Sequence, residues 1–269
     1  MTINAPKTGY APVNGLRMYY EAHGTGQPLV VLHGSFMTIE LMGKLIPELA
    51  KSRQVIAVEM QGHGHTADID RPISHERLAD DVAALLQHLG IANADVYGYS
   101  LGAIVALQVA IRHPDLVRKL VVVSGTYTHA GSYPEVRAGI GQVKPEMFDG
   151  TPWRDAYDRV APDPAGFATL VEKVVSLDVG PLDWPPESVK RIVAPTLIVI
   201  GDSDGIRPEH AAELFRLRGG GVFGDYAGLP VSQLAILPGT THIGLLERAD
   251  WIVPMVESFL DAPMPTAAS

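Results

Sequence analysis

Short apolar blocks alternate with stretches of helical spacing along most of this chain. Leu29-Val30-Val31-Leu32, Gln54–Val58, Ala94–Tyr97, Leu120–Val123, Thr196–Ile200 and Gln233–Leu237 are the blocks. Each is bounded by turn residues, as expected of strands buried on both faces. Between them, Ile39–Ala50, Ser74–Leu89, Ala103–Ala110, Glu209–Leu217 and Asp250–Leu260 carry helical spacing. Ser74 is placed to N-cap its helix, Gly90 to end it, and Pro114 to close the next one. Leu16–Glu21 reads as an early hairpin strand with Asn14-Gly15 as its turn, and Gly24–Pro28 as a second turn. Alternating strands and helices predict an α/β fold, a mostly parallel twisted sheet with helices on both faces. Ligands of such sheets sit at the carboxyl ends of the strands.

The rhythm breaks near Gly125. Residues 127–184 hold 7 of the 18 aromatic side chains in 58 of 269 positions. Eight of the 21 prolines fall between Pro134 and Pro186. This composition predicts an inserted helical lid at 126–189, interrupting a core domain made of 1–125 and 190–269. Proline is expected to stiffen irregular parts of it. Gly219-Gly220-Gly221 and Gly224 predict a flexible loop with room for an added hairpin. The tail 262–269 is expected to fray.

Net charge is −9. That argues against nucleic acid and against an anionic membrane surface, both of which need a basic excess. The chain has no cysteine, which excludes disulfides, a thiolate nucleophile and cysteine-ligated metals. The Met1–Lys7 stretch has no apolar core of a signal peptide, and no apolar run has the length of a membrane span. A cytoplasmic monomer or homodimer is the expectation.

Gly98-Tyr99-Ser100-Leu101-Gly102 is a G-x-S-x-G run set between a strand and a helix. A serine there must turn sharply, and small flanking residues let the backbones pass. Its hydroxyl would stand at a helix N-terminus, where partial positive charge favours a developing oxyanion. A serine hydroxyl needs a base, and the base needs a carboxylate to fix its tautomer. Asp202 or Asp204, then His242, each follow a strand at the same end of the sheet. The oxyanion donors should be the N–H of Leu101 and an N–H of the loop after His33-Gly34.

These stretches resemble α/β-hydrolase fold proteins of the small, cap-bearing bacterial esterase type. The similarity runs from about residue 10 to 260. It covers the VVLHG, GHGHT, GYSLG, GDSDGIRP and PGTTH segments. The resemblance implies Ser100 as nucleophile, His242 as base and Asp204 as acid, since a G-x-x-D with a following proline matches Gly201, Asp204 and Pro208. It implies Ser35 as the second oxyanion donor, with Phe36 as the alternative. His33, Phe36, Tyr99, Tyr127, Trp153, Tyr157 and Trp184 are candidate pocket residues. His63-x-His65 lacks an obvious third ligand, and no helix follows Gly24-x-Gly26, so neither metal nor dinucleotide is expected. No cofactor is implied.

Serine at the elbow disfavours dehalogenase and epoxide hydrolase chemistry. Ser35-Phe36-Met37 departs from the patterns usual in perhydrolases and carbon–carbon bond hydrolases. The expected activity is hydrolysis of a small to medium, largely apolar carboxylic ester by water, through an acyl-enzyme. The alternatives are a slow small-molecule receptor, or a cofactor-free lyase, oxygenase, perhydrolase or carbon–carbon bond hydrolase on the same fold.

Overall fold

The computed structural model describes residues 5–264. Most of the Met1–Lys7 stretch and the end of the 262–269 tail lie outside them. The strands are β1 (Lys7–Val13), β2 (Leu16–His23), β3 (Pro28–Leu32), β4 (Gln54–Val58), β5 (Ala94–Tyr99), β6 (Val117–Val123), β7 (Thr196–Ser203) and β8 (Gln233–Thr241). Asn14 and Gly15 both have positive φ, 47° and 87°, which suits a tight hairpin turn between β1 and β2. β2 pairs antiparallel with β4, and the pairings among β3 to β8 are parallel. The sheet order is β1-β2-β4-β3-β5-β6-β7-β8.

The helices are α1 (Leu45–Leu49), α2 (His75–His88), α3 (Leu101–Arg112), α4 (Pro134–Ile140), α5 (Pro152–Val160), α6 (Phe167–Val179), α7 (Pro186–Lys190), α8 (Pro208–Leu217), α9 (Gly224–Ala227) and α10 (Ala249–Asp261). Side chains of a strand alternate between faces. Val30, Leu32, Val96, Leu120, Val122, Ile198 and Ile200 therefore pack on one side, with α2, α3 and α8. Leu29, Val31, Tyr97, Val121, Val123, Leu197 and Val199 pack on the other, with α1 and α10. The expected two-faced α/β architecture is what the chain adopts. No helix among the described residues is long and apolar enough to cross a membrane.

Four local expectations need adjustment. Ile39–Ala50 is not one helix. Gly43 turns to a φ of 57° and separates a 3-10 turn, Ile39–Met42, from α1. β7 and β8 run past Ile200 and Leu237, with a register shift between Gly201 and Ser203. The glycine-rich loop forms no added hairpin among the described residues. Gly219 and Gly221 turn at positive φ, and the short α9 follows, stopped by Gly228 at 77°. Finally, the prolines between β6 and β7 mark helix starts more than irregular chain. Pro134, Pro152 and Pro186 open α4, α5 and α7, where a missing N–H costs no hydrogen bond.

The carboxyl-end loops are tied down by buried charge. Asp81 on α2 is fully buried and accepts from Arg71 and from Asn14 Nδ2 at 2.9 Å. Arg71 Nε also donates to Gln61 Oε1 at 2.6 Å. One guanidinium thus joins α2, the first hairpin and the loop after β4. Arg71→Met would leave Asp81 buried without its counter-charge, which typically costs about 3–5 kcal/mol. Urea unfolding should show a loss of that size, and a loss no larger than that of an exposed surface substitution would refute the role.

Candidate active site

The elbow is set by steric limits. A Cβ on Gly98 would lie 2.1 Å from the Gly102 carbonyl oxygen, and one on Gly102 would lie 2.3 Å from that of Leu32. Only glycine fits either position, so α3 can leave β5 at once and cross close to β3. Between them Ser100 takes φ 54° and ψ −119°, a conformation costly for a residue with a side chain. Its N–H still pairs with Val123 O at 2.9 Å. The strain therefore falls on one residue and not on the ladder.

The structure brings Ser100, His242 and Asp204 together from three separate elements. Ser100 Oγ lies 3.0 Å from His242 Nε2, and His242 Nδ1 lies 2.8 Å from Asp204 Oδ1. A carboxylate only accepts, so Nδ1 carries the proton and Nε2 is left as acceptor for the serine hydroxyl. Tyr99 OH donates to the His242 carbonyl oxygen at 2.9 Å and anchors that turn.

Asp202, the other carboxylate of its turn, faces elsewhere. It accepts from the Gly239 and Thr240 N–H groups at 2.9 and 3.2 Å, which hold its carboxyl below the ordinary range. It fastens the turn that precedes His242. Asp204 is buried, and burial by itself would raise its carboxyl. Hydrogen bonds from His242, Ser124 and the Ile206 N–H outweigh burial and hold it below the usual value.

Ser124 was not among the candidates. Its hydroxyl donates to Asp204 Oδ1 at 2.8 Å, and its oxygen stands 2.7 Å from His242 Nδ1. A signal was present: Ser124-Gly125 follows an apolar strand at the carboxyl end of the sheet, as the other three residues do.

The loop after β3 carries Ser35 and Phe36. Phe36 N–H donates to His63 Nε2 at 3.2 Å, so it is already engaged. Ser35 N–H has no partner among the described residues. Leu101 opens α3, where the first N–H groups have no intrahelical acceptor. Below the loop, His33 Nε2 accepts from Met60 N–H at 3.2 Å, and His33 Nδ1 donates to Gly34 O at 2.8 Å. Burial lowers His33 to about 3 and His63 to about 4, so both rings are neutral and can accept. His65 instead bonds Glu59, at 2.9 Å through Nδ1. The two histidines of the GHGHT loop are thus engaged in holding loops.

A cavity of about 700 Å³ stands over Ser100. Phe36, Tyr99 and Trp153 line it, with Ile104, Phe148 and Leu182. His33, Tyr127, Tyr157 and Trp184 do not. His33 is sealed beneath the loop. Tyr127 turns away to Glu213, with its hydroxyl at 2.7 Å, and Tyr157 stacks edge-on against Phe167 at 5.0 Å. Trp184 stands behind His75, 6.0 Å between centroids, and it is His75 that reaches the cavity. Aromatic composition alone did not separate walls from supporting core.

A family model described as the alpha/beta hydrolase fold matches residues 27–178. The chain belongs to the α/β-hydrolase fold family. It is 28% identical over 251 residues to the pimeloyl-[acyl-carrier protein] methyl ester esterase of Neisseria meningitidis, covering 86% of this chain and 92% of that protein. It is 37% identical over 124 residues to the 2-hydroxymuconate semialdehyde hydrolase of a Pseudomonas strain, covering 44% of each. Among solved structures, the 2-hydroxy-6-oxo-6-phenylhexa-2,4-dienoate hydrolase from Rhodococcus superposes with a TM-score of 0.76 at 21% identity, over 97% of this chain and 100% of that one. Hydrolysis is the reaction class these relatives share.

Two outcomes follow for the buried group. Ser124→Ala removes a hydrogen bond to a charged carboxylate, worth about 1.5–3 kcal/mol. If Asp204 and His242 act on the reaction, kcat should fall about 10- to 100-fold with little change in KM, and an unaltered kcat would assign Ser124 to packing alone. Asp204 is held below its ordinary value, so its contribution to stability is complete above the ordinary carboxylate range. It is lost as pH falls through the lowered value. Melting temperature against pH should therefore show an acid limb that is shallower in Asp204→Asn.

Proposed function

We propose that the chain is a serine hydrolase that cleaves a carboxylic ester through an acyl-enzyme. The observation that carries this reading is the unbroken path from Ser100 Oγ through His242 to Asp204 at the floor of an apolar cavity. His242 Nε2 takes the Ser100 proton as Oγ attacks the ester carbonyl. The oxyanion is received by the N–H groups of Ser35 and Leu101, backed by the N-terminus of α3. Collapse expels the alcohol, which takes the proton from His242. Water, activated by the same imidazole, then hydrolyses the acyl-enzyme.

The cavity suits a small to medium, largely apolar substrate. Its roof comes from the segment between β6 and β7. Ile140, Met147, Phe148, Trp153 and Leu177 all face the space above Ser100. This is the basis for reading 126–189 as a lid that sets substrate range. The ester reading also agrees with the methyl ester esterase name of a relative aligned over most of both chains.

Ser100→Ala should lose on the order of 10⁴-fold or more in turnover of short acyl esters while melting like the parent. A serine-directed phosphonate should label Ser100 alone, as read by peptide mass mapping. Labelling at another serine, or substantial ester turnover by the alanine variant, would sink the assignment. Turnover of a carbon–carbon bond substrate but of no ester would overturn the ester reading.

A further inference from the structure

Asp178 has no part in the Ser100 machinery, yet it lines the same cavity. It is the penultimate residue of α6 and the one carboxylate among the described residues of the cavity wall. The four fully buried carboxylates among the described residues all have donors. Asp81 takes Arg71, Asp95 takes Arg118, Glu59 takes His65 and Asp204 takes His242. Asp178 forms no ion pair among the described residues. The neighbouring Ser35 hydroxyl is the one group that favours its charged form, against burial that pushes the carboxyl up to about 7. Asp178 is half-buried on the cavity wall, and with the Ser35 hydroxyl as its one donor its carboxylate keeps acceptor positions open to a hydrogen bond from a ligand.

The surroundings narrow what that ligand group is. The groups facing this part of the cavity are Ser35 from the loop after β3, His75 from α2, His129 from the turn after β6 and Arg137 from α4. Arg137 donates to Val179 O at 3.2 Å, and His129 bonds the Gly180 carbonyl. The carbonyls at the end of α6 are thus already served. A ligand ammonium would meet the Arg137 guanidinium on the same wall. His75 is kept neutral, since burial lowers it to about 4. The opening beside Asp178 fits a neutral donor.

We propose that Asp178 is a specificity-determining residue whose carboxyl accepts a hydrogen bond from a hydroxyl on the substrate chain, selecting hydroxylated esters over plain esters of equal length. This rests on the ester-hydrolase reading of Ser100. The side chain sits beside Ser35, so the hydroxyl would be held on the oxyanion-loop side of the cavity. A site built to bond a hydroxyl discriminates strongly against an analogue that lacks it, because its own polar group is then left unpaired.

The test uses methyl esters of plain and ω-hydroxylated acids of increasing length, matched in pairs. At one length, kcat/KM should favour the hydroxylated partner about 10- to 100-fold, the range of a hydrogen bond to a charged group. Asp178→Leu should bring that ratio to about 1, and the isosteric Asp178→Asn to an intermediate value. A structural role alone would lower both esters of a pair by the same factor and leave the ratio in place. An equal kcat/KM within every pair overturns the proposal, as does a ratio unmoved by both variants. A preference for ω-amino over ω-hydroxy esters overturns it too, in favour of an ion pair. Phosphonate labelling of Ser100 separates the two failures: labelled enzyme without a hydroxyl preference sinks only the role of Asp178. If no ester is turned over, calorimetry on Ser100→Ala decides. The hydroxylated partner should still bind at least about 10-fold tighter, and equal binding rejects the subsite.

Discussion

The site depends on two backbones passing closer than any Cβ would allow. Gly98 and Gly102 let β5 turn into α3 without an intervening loop. A side chain at either position would push α3 away from β3. It would then carry the Leu101 N–H away from the Ser100 hydroxyl, and the hydroxyl away from His242. The distance of 3.0 Å to His242 Nε2 is therefore a consequence of close helix–sheet packing. A loop could bring the same three side chains together only at the cost of ordering them afresh in each molecule.

Burial is used in two opposite ways around this elbow. At His33 and His63 it keeps imidazoles neutral, and a neutral ring can accept an N–H from the loop it supports. A charged ring would have no lone pair to offer and would repel its neighbour, 4.8 Å away between centroids. At Asp204 burial works against charge, and the site answers with donors from His242, Ser124 and the backbone. At Asp178, half-buried in the cavity wall, burial raises the carboxyl and only the Ser35 hydroxyl opposes it, which sets this acid apart from Asp204.

Much of this was legible in the sequence because the signals were steric or periodic. The apolar blocks located the central strands. Asn14-Gly15, Ser74 and Gly90 marked a turn, a cap and a stop that occur where expected. The three residues that meet at Ser100 each followed a strand at its carboxyl end. The strand ends were less legible, since β7 and β8 continue through polar residues whose backbone pairing has no side-chain signature. The pocket walls were least legible. Tyr127, Tyr157 and Trp184 are aromatic like Phe148, but which of them faces a cavity is decided by helix rotation and by partners far along the chain. Glu213, Phe167 and His75 claim those three rings, and nothing local announces it.

Backbone strain gives the site a second, independent outline. Among the described residues, the non-glycine positions with positive φ are Asn14, Phe36, Ser100 and Ser124. Asn14 serves a hairpin turn, a place that tolerates it. The other three line the cavity, one from each of the loops that follow the neighbouring strands β3, β5 and β6 at the carboxyl edge. Conformations of this kind cost of order 1–3 kcal/mol each and persist only where the surroundings over-determine them. Here the restraints are visible: His63 holds Phe36, Val123 O holds Ser100, and Val199 O holds Ser124 at 2.8 Å. The strain turns the Ser100 hydroxyl toward His242 and the Ser124 hydroxyl toward Asp204. The same geometry links the residue that sequence motifs reveal to the one they conceal, and it argues that Ser124 belongs to the site by construction of the backbone, before any hydrogen bond is considered.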